Sequence, residues 1–191
     1  MSWGGATFQS GAGQVRYRCV TTLTLGCGRQ AVRAQPEYRP GMRSASASVR
    51  IQRPRAAVHA LLVDLARREE FLDHFLGDWT VTSADARGVG ATARLRAKGG
   101  GSGDELETEI VEVSPQRVAE EARGGRRRWR LRYELDEVTA TATQVRFTIE
   151  LVACSPLDRA TWPLMRSHLE RQYGQALLRL KRVLESEAGT R

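Results

Sequence analysis

Apolar residues alternate with polar ones through two stretches towards the C-terminal end: Trp129, Leu131, Tyr133 and Leu135 in one, Val145, Phe147, Ile149 and Leu151 in the other. A period of two sends successive side chains to opposite faces, so each stretch predicts a strand with one buried face. The period then lengthens. Trp162, Met165, Leu169, Tyr173, Ala176, Leu177, Leu180 and Leu184 fall along one stripe of a helix predicted from about Ala160 to Leu184. Pro163 is tolerated only near a helix start, which sets that end. At 1.5 Å per residue such a helix spans roughly 37 Å, enough to lie across a whole curved sheet.

Upstream, Ser44 to Ile51 alternates small or apolar with polar residues and predicts a first strand. Pro54 suits a first helical turn, and Val58, Leu61, Leu62 and Leu65 recur at helical spacing. A second short helix is predicted over Arg68 to Phe75, with Phe71, Leu72 and Phe75 on one face. Gly77-Asp78 breaks it, and Trp79-Thr80-Val81-Thr82 opens a strand. Gly88-Val89-Gly90 makes a tight turn into Ala91, Ala93, Leu95 and Ala97, which alternate with Thr92, Arg94 and Arg96. Gly99 to Gly103 reads as a flexible hairpin loop. Glu105, Glu107 and Glu109 then alternate with Leu106, Thr108 and Ile110, Ser114-Pro115 leads into a short strand around Arg117 to Ala122, and Gly124-Gly125 leads into Arg126 to Asp136. Each strand has one apolar face, which predicts an antiparallel sheet covered on one side. The fold class is α+β: one strand, two short helices, about six more strands and a long helix.

Composition bounds the reading. At 191 residues the chain suits one domain with some tail to spare. No run approaches the roughly 18 apolar residues of a membrane span. The net charge of +8 invites a nucleic-acid reading, but it is unevenly spread. Residues 1–43 hold six Arg and one acid, Glu37, whereas residues 44–191 hold 24 basic and 21 acidic groups, a net of only +3. The first 43 residues are also rich in Gly, Ser and Thr, lack helical periodicity and contain the breakers Gly26, Gly28, Pro36 and Pro40. They are expected to form a disordered extension, with a domain over 44–187 and a short tail at 188–191. Two other readings of the extension stand: an Arg-rich transit peptide, or a true start at Met42. Threonines interrupt the apolar stretch a secretory signal would need. Cys19, Cys27 and Cys154 are too scattered for a zinc site, and Cys154 is expected to act as a small buried hydrophobe in a reducing compartment, the cytoplasm. No metal or cofactor is expected, and the oligomeric state is open.

Several segments together resemble the START-like superfamily, also known as SRPBCC or polyketide cyclase/dehydrase-like. They are Val49-Arg50-Ile51 followed by Pro54-Arg55-Ala56-Ala57-Val58, Asp64-Leu65 with the Phe71 region, and Gly88-Val89-Gly90-Ala91. Further along come Ile110 to Pro115 before a short strand, Thr143 to Phe147 in the last strand, and Leu177 to Glu185 in the last helix. The resemblance covers roughly residues 45–187. It implies the helix-grip fold, in which a curved antiparallel sheet of about six to seven strands wraps a long C-terminal helix. It also implies a cavity between the two that takes hydrophobic small molecules such as lipids or polyketides. The family often carries a Trp after the second short helix begins. This chain has Asp73-His74-Phe75 there, and Trp79 is the aromatic on offer instead.

The candidates for lining such a cavity are Phe71, Trp79, Trp129, Tyr133, Phe147, Trp162, Met165 and Leu169. They equally suit a filled core, but the small facing residues Ala91, Ala93 and Ala97 favour a roomier interior. Catalysis of a cyclase type needs a general base and a group to stabilise an enolate-like oxygen. Tyr133, His168 and His74 are the candidates, with Asp73 or Asp78 to orient them. The run Arg123 to Arg132 has an RGG-like look. Alternation instead puts Arg126, Arg128, Arg130 and Arg132 on a solvated face with Glu105, Glu107 and Glu109 as complementary charge, so no nucleic-acid partner is expected. Three functions follow in order of expectation: a carrier or sensor for a hydrophobic small molecule, a polyketide cyclase/dehydratase, and a protein-interaction module acting as a toxin or chaperone partner.

Overall fold

A computed structural model describes residues 43–98 and 105–189. The predicted extension (Arg43 apart), Cys19 and Cys27, the Gly99–Gly103 loop and the last two residues of the tail lie outside the described residues. Seven strands form one antiparallel sheet: β1 Ser44–Ile51, β2 Leu76–Val81, β3 Thr92–Ala97, β4 Glu105–Ser114, β5 Arg117–Gly124, β6 Arg127–Thr139 and β7 Ala142–Ala153. Their order across the sheet is β1-β7-β6-β5-β4-β3-β2, so the first strand pairs with the last. Between β1 and β2 the chain makes helix α1 Arg55–Leu62, a 3-10 turn Leu65–Arg67 and helix α2 Glu69–Leu72, and so passes from one edge of the sheet to the other. Helix α3 Pro156–Ala160 and the long α4 Trp162–Gly189 follow β7. This is the helix-grip α+β fold.

Register explains why the alternation reads so cleanly. Tyr133 stands opposite Phe147, Leu131 opposite Ile149 and Leu135 opposite Val145, so both apolar sets share the covered face. Helix α4 lies against β1 and α2. Along its stripe Tyr173, Ala176, Leu177, Leu180 and Leu184 are buried in the core, while Met165 and Leu169 are only half-buried. The C-terminal half of the helix packs on the sheet, and the N-terminal half stands off it.

Three boundaries differ from expectation, each for a local reason. The second short helix shrinks to the single turn α2, and Leu65 leaves the first helix for a separate 3-10 turn, which Asp64 starts by accepting a hydrogen bond from the Ala66 N–H at 3.1 Å. Gly77-Asp78 does not separate helix from strand but lies inside β2, where the register shifts and Asp78 takes a left-handed φ of 54°. The last helix is two helices. Pro156 and the Ser155–Asp158 capping box start α3, and Thr161 separates it from α4, which runs on to Gly189. Cys154 is half-buried just beyond β7 rather than enclosed.

Candidate functional site

Because the N-terminal half of α4 stands off the sheet, a cavity of about 440 Å³ opens between them. Leu72, Phe75 and Leu76 close it on the α2–β2 side, and Leu95, Leu106, Leu131 and Ile149 contribute from the sheet. Trp79, Trp129, Met165 and Leu169 complete the apolar wall. Small residues leave the room: Ala97, Ala122 and Gly124 also line it. A Cβ at Gly124 would meet Leu106 Cδ2 at 2.3 Å and the Glu105 carbonyl oxygen at 3.0 Å, so any side chain there would have to displace Leu106.

The polar groups divide by depth. Lys98 and His168 are solvent-exposed, and Arg127 and Gln172 are half-buried. Tyr133, Glu120 and Thr108 are only 1%, 3% and 4% exposed. Glu120 is ion-paired with Arg68, which lies behind the wall and donates a further hydrogen bond to the Leu62 carbonyl at 2.6 Å. The Arg68 guanidinium carbon sits 4.8 Å from the Tyr133 ring centroid and 5.8 Å from that of Phe71, within cation–π range. Burial pushes the Arg68 pKa down most strongly, but Glu120 and Tyr133 together outweigh it and hold the group above its ordinary value. Burial pushes the Tyr133 phenol well up, against the pull of Arg68, so it stays protonated at neutral pH. Tyr173 is raised by burial too.

The predicted lining residues separate into two groups. Trp79, Trp129, Tyr133, Met165 and Leu169 meet at the cavity. Phe71, Phe147 and Trp162 are buried away from its wall. Phe147 touches both Tyr133 and Tyr173, with ring centroids 4.8 and 4.1 Å away, and so fills the floor beneath the cavity. Phe71 packs beside Arg68.

Of the catalytic candidates, Tyr133 and His168 line the cavity and His74 does not. His74 Nε2 lies 3.1 Å from the Gln172 carbonyl oxygen, so the ring ties the end of α2 to α4. The two proposed orienting acids are engaged elsewhere, Asp73 with Arg179 and Asp78 with Arg96 at 3.5 Å. Among the described residues no group of three or more His, Cys, Asp and Glu side chains is placed to hold a metal ion. None of the described helices is long and apolar enough to cross a membrane.

Arg68, Glu120 and Thr108 went unnoticed in the sequence, although each breaks a local pattern. Glu120 is in phase with Val118 and Ala122, Thr108 with Leu106 and Ile110, and Arg68 with Leu65 and Leu72 at helical spacing. A polar residue in phase with a buried face is the available signal. On the opposite face the pairs differ from those expected: Arg130 meets Glu121 at 3.1 Å, while Glu107 meets Arg123 at 3.0 Å and Glu105 meets Arg94 at 3.7 Å.

Residues 42–185 match the sequence model of a family described as polyketide cyclase / dehydrase and lipid transport. No curated protein matches the chain. Among solved structures, the chain is similar to a START superfamily protein from Mycobacterium smegmatis, with 11% identity and a TM-score of 0.62 over 75% of this chain and 97% of that one. It is similar to the Zhui aromatase/cyclase from Streptomyces sp. R1128, with 14% identity and a TM-score of 0.64 over 76% and 95% of the two chains. A protein from Thermus thermophilus is similar too, at 17% identity and a TM-score of 0.61 over 75% and 98%.

Proposed function

This chain belongs to the polyketide cyclase / dehydrase and lipid transport family, and from that premise we propose that it is a carrier or sensor for a hydrophobic small molecule such as a lipid or polyketide. The observation that carries the reading is the cavity of about 440 Å³, within the range of small-molecule sites and walled mainly by hydrocarbon. Trp79, Trp129, Met165 and Leu169 are the proposed contacts for the apolar body of the ligand, with Tyr133 at its buried end. Burying apolar surface is favourable by about 25 cal/mol per Å², so such a ligand needs few polar contacts to be held. Native mass spectrometry of freshly purified full-length protein tests this. A co-purifying lipid or aromatic compound, released on denaturation, is the expected result. A protein that remains ligand-free when incubated with fatty acids, sterols and polycyclic aromatics would rule the reading out.

A second reading, a cyclase/dehydratase, draws support from one feature: Tyr133 and His168 border the same cavity. A neutral phenol is suited to donate a hydrogen bond to a developing enolate oxygen, and an imidazole to take up a proton. Turnover of a poly-β-keto substrate, lost in both Tyr133→Phe and His168→Ala, is the outcome this reading requires.

A further inference from the structure

At the buried end of the cavity the hydrocarbon wall is interrupted by one carboxylate and two hydroxyls: Glu120 on β5, Thr108 on β4 and Tyr133 on β6. Glu120 stands in register between Ile110 and Leu131, both apolar. Its counter-ion, Arg68, is not part of the wall. Arg68 is closed off behind it, against the Leu62 carbonyl and the faces of Tyr133 and Phe71. The ion pair therefore shows its anion to the ligand space and hides its cation. A carboxylate has about four lone-pair positions for hydrogen bonds. Arg68 takes one, and Thr108 donates to the other oxygen over a long 3.4 Å. The remaining acceptor capacity belongs to a group on the cavity wall flanked in register by Ile110 and Leu131, and leaving it unmet is unfavourable until a donor fills it.

We infer that Glu120, with Tyr133 and Thr108 beside it, is a recognition subsite for an uncharged hydrogen-bond donor, a hydroxyl or phenol carried on the buried end of the hydrophobic ligand. This rests on the proposed binding role of the cavity and adds the chemical class of the ligand. A ligand hydroxyl donates to the Glu120 carboxylate. Its oxygen accepts from the Tyr133 phenol, which burial keeps protonated. An ether at the same position offers no donor and leaves Glu120 unsatisfied. A carboxylate end meets a like charge there and is disfavoured.

Isothermal titration calorimetry on the purified full-length protein at neutral pH, with naphthalene, 2-naphthol and 2-methoxynaphthalene as probes, tests the subsite. All three should bind, and 2-naphthol should bind about tenfold or more tighter than its methyl ether, the size of effect expected for a hydrogen bond to a charged acceptor. In the double variant Arg68→Met, Glu120→Leu, which replaces the pair by hydrocarbon, naphthalene should still bind and the preference for 2-naphthol over its ether should vanish. Tyr133→Phe should reduce that preference without removing it. If naphthalene binds while 2-naphthol and its ether bind alike, or if the double variant keeps the preference, the subsite is overturned and the cavity reading stands. If none of the three binds, the cavity reading falls and takes the subsite with it. Should the double variant fail to fold, the comparison of 2-naphthol with its ether on the natural protein decides alone.

Discussion

Arg68 and Glu120, 52 positions apart in the chain, form an ion pair at 0% and 3% exposure. Removing two charges from water is expensive, and their attraction repays it only when both are present. Truncating one partner, as Arg68→Ala or Glu120→Ala, leaves an uncompensated buried charge and is expected to lower stability by about 3–5 kcal/mol. The apolar pair Arg68→Met, Glu120→Leu should be near neutral. Urea denaturation of the two single variants and the double variant, with m-values compared, checks this. A double variant as unstable as either single one would show that the pair is not the reason for the loss.

Ala122 lines the cavity, next to Trp129 across the β5–β6 ladder. A phenyl group placed there should occupy open volume rather than displace packed atoms. Ala122→Phe is therefore expected to abolish uptake of a hydrophobic ligand, read by native mass spectrometry, while leaving stability unchanged or raised. Overpacking of a filled core would instead lower stability by about 1–3 kcal/mol, so thermal denaturation distinguishes an open cavity from a closed one.

Asp158 predicts a pH dependence. Hydrogen bonds from Arg127 (Nη2 at 2.7 Å) and from Ser155 lower its carboxyl from the ordinary 3.8 to about 2. The folded-state value lies below the unfolded one, so the stabilisation is fully present above about pH 4 and disappears as pH falls towards 2. Arg127 is 40% exposed, and solvent screening reduces the contribution to roughly 1–2 kcal/mol. Asp158→Asn should be the less stable protein at pH 7 by that amount, and the gap should close between pH 4 and 2. Chemical denaturation at a series of pH values gives the comparison, and a gap that persists at the acid end would refute the assignment.

Asp78 sits in β2 at a φ of 54°, where the register with β3 shifts. Short polar residues and glycine tolerate this conformation, whereas a β-branched side chain is strained by about 1–2 kcal/mol. Asp78→Asn and Asp78→Gly should leave the melting temperature close to that of the natural protein. Asp78→Val should lower it, since the bulge has to reorganise. Equal melting temperatures in all three would mean that the bulge adapts freely.

The element order was legible because secondary structure follows from local periodicity. The strand at Ser44–Ile51 appears as read, and the apolar faces of β6 and β7 match residue for residue. The boundaries that moved are those set by capping hydrogen bonds and one backbone angle: the Asp64 cap, the Ser155–Asp158 box and the Asp78 bulge. A capping carboxylate and a solvated one look alike until the partner N–H is located. Cap signals at Asp64 and Ser155-Pro156 were nonetheless present in the residues themselves.

The candidate site divides along the same line. Alternation assigned Trp129, Tyr133 and Phe147 to one face of the sheet, and all three are there, but depth beneath that face is a different quantity. Trp129 and Tyr133 meet the cavity and Phe147 fills its floor, because α4 packs closely along Tyr173 to Leu184 and stands away around Met165 and Leu169. The sequence by itself determined which residues turn inward, since that depends only on the geometry of each strand or helix. The tertiary structure alone decided which inward residues face open space, and that Glu120 meets Arg68. Both outcomes depend on distances between segments far apart in the chain, and no local period carries those distances.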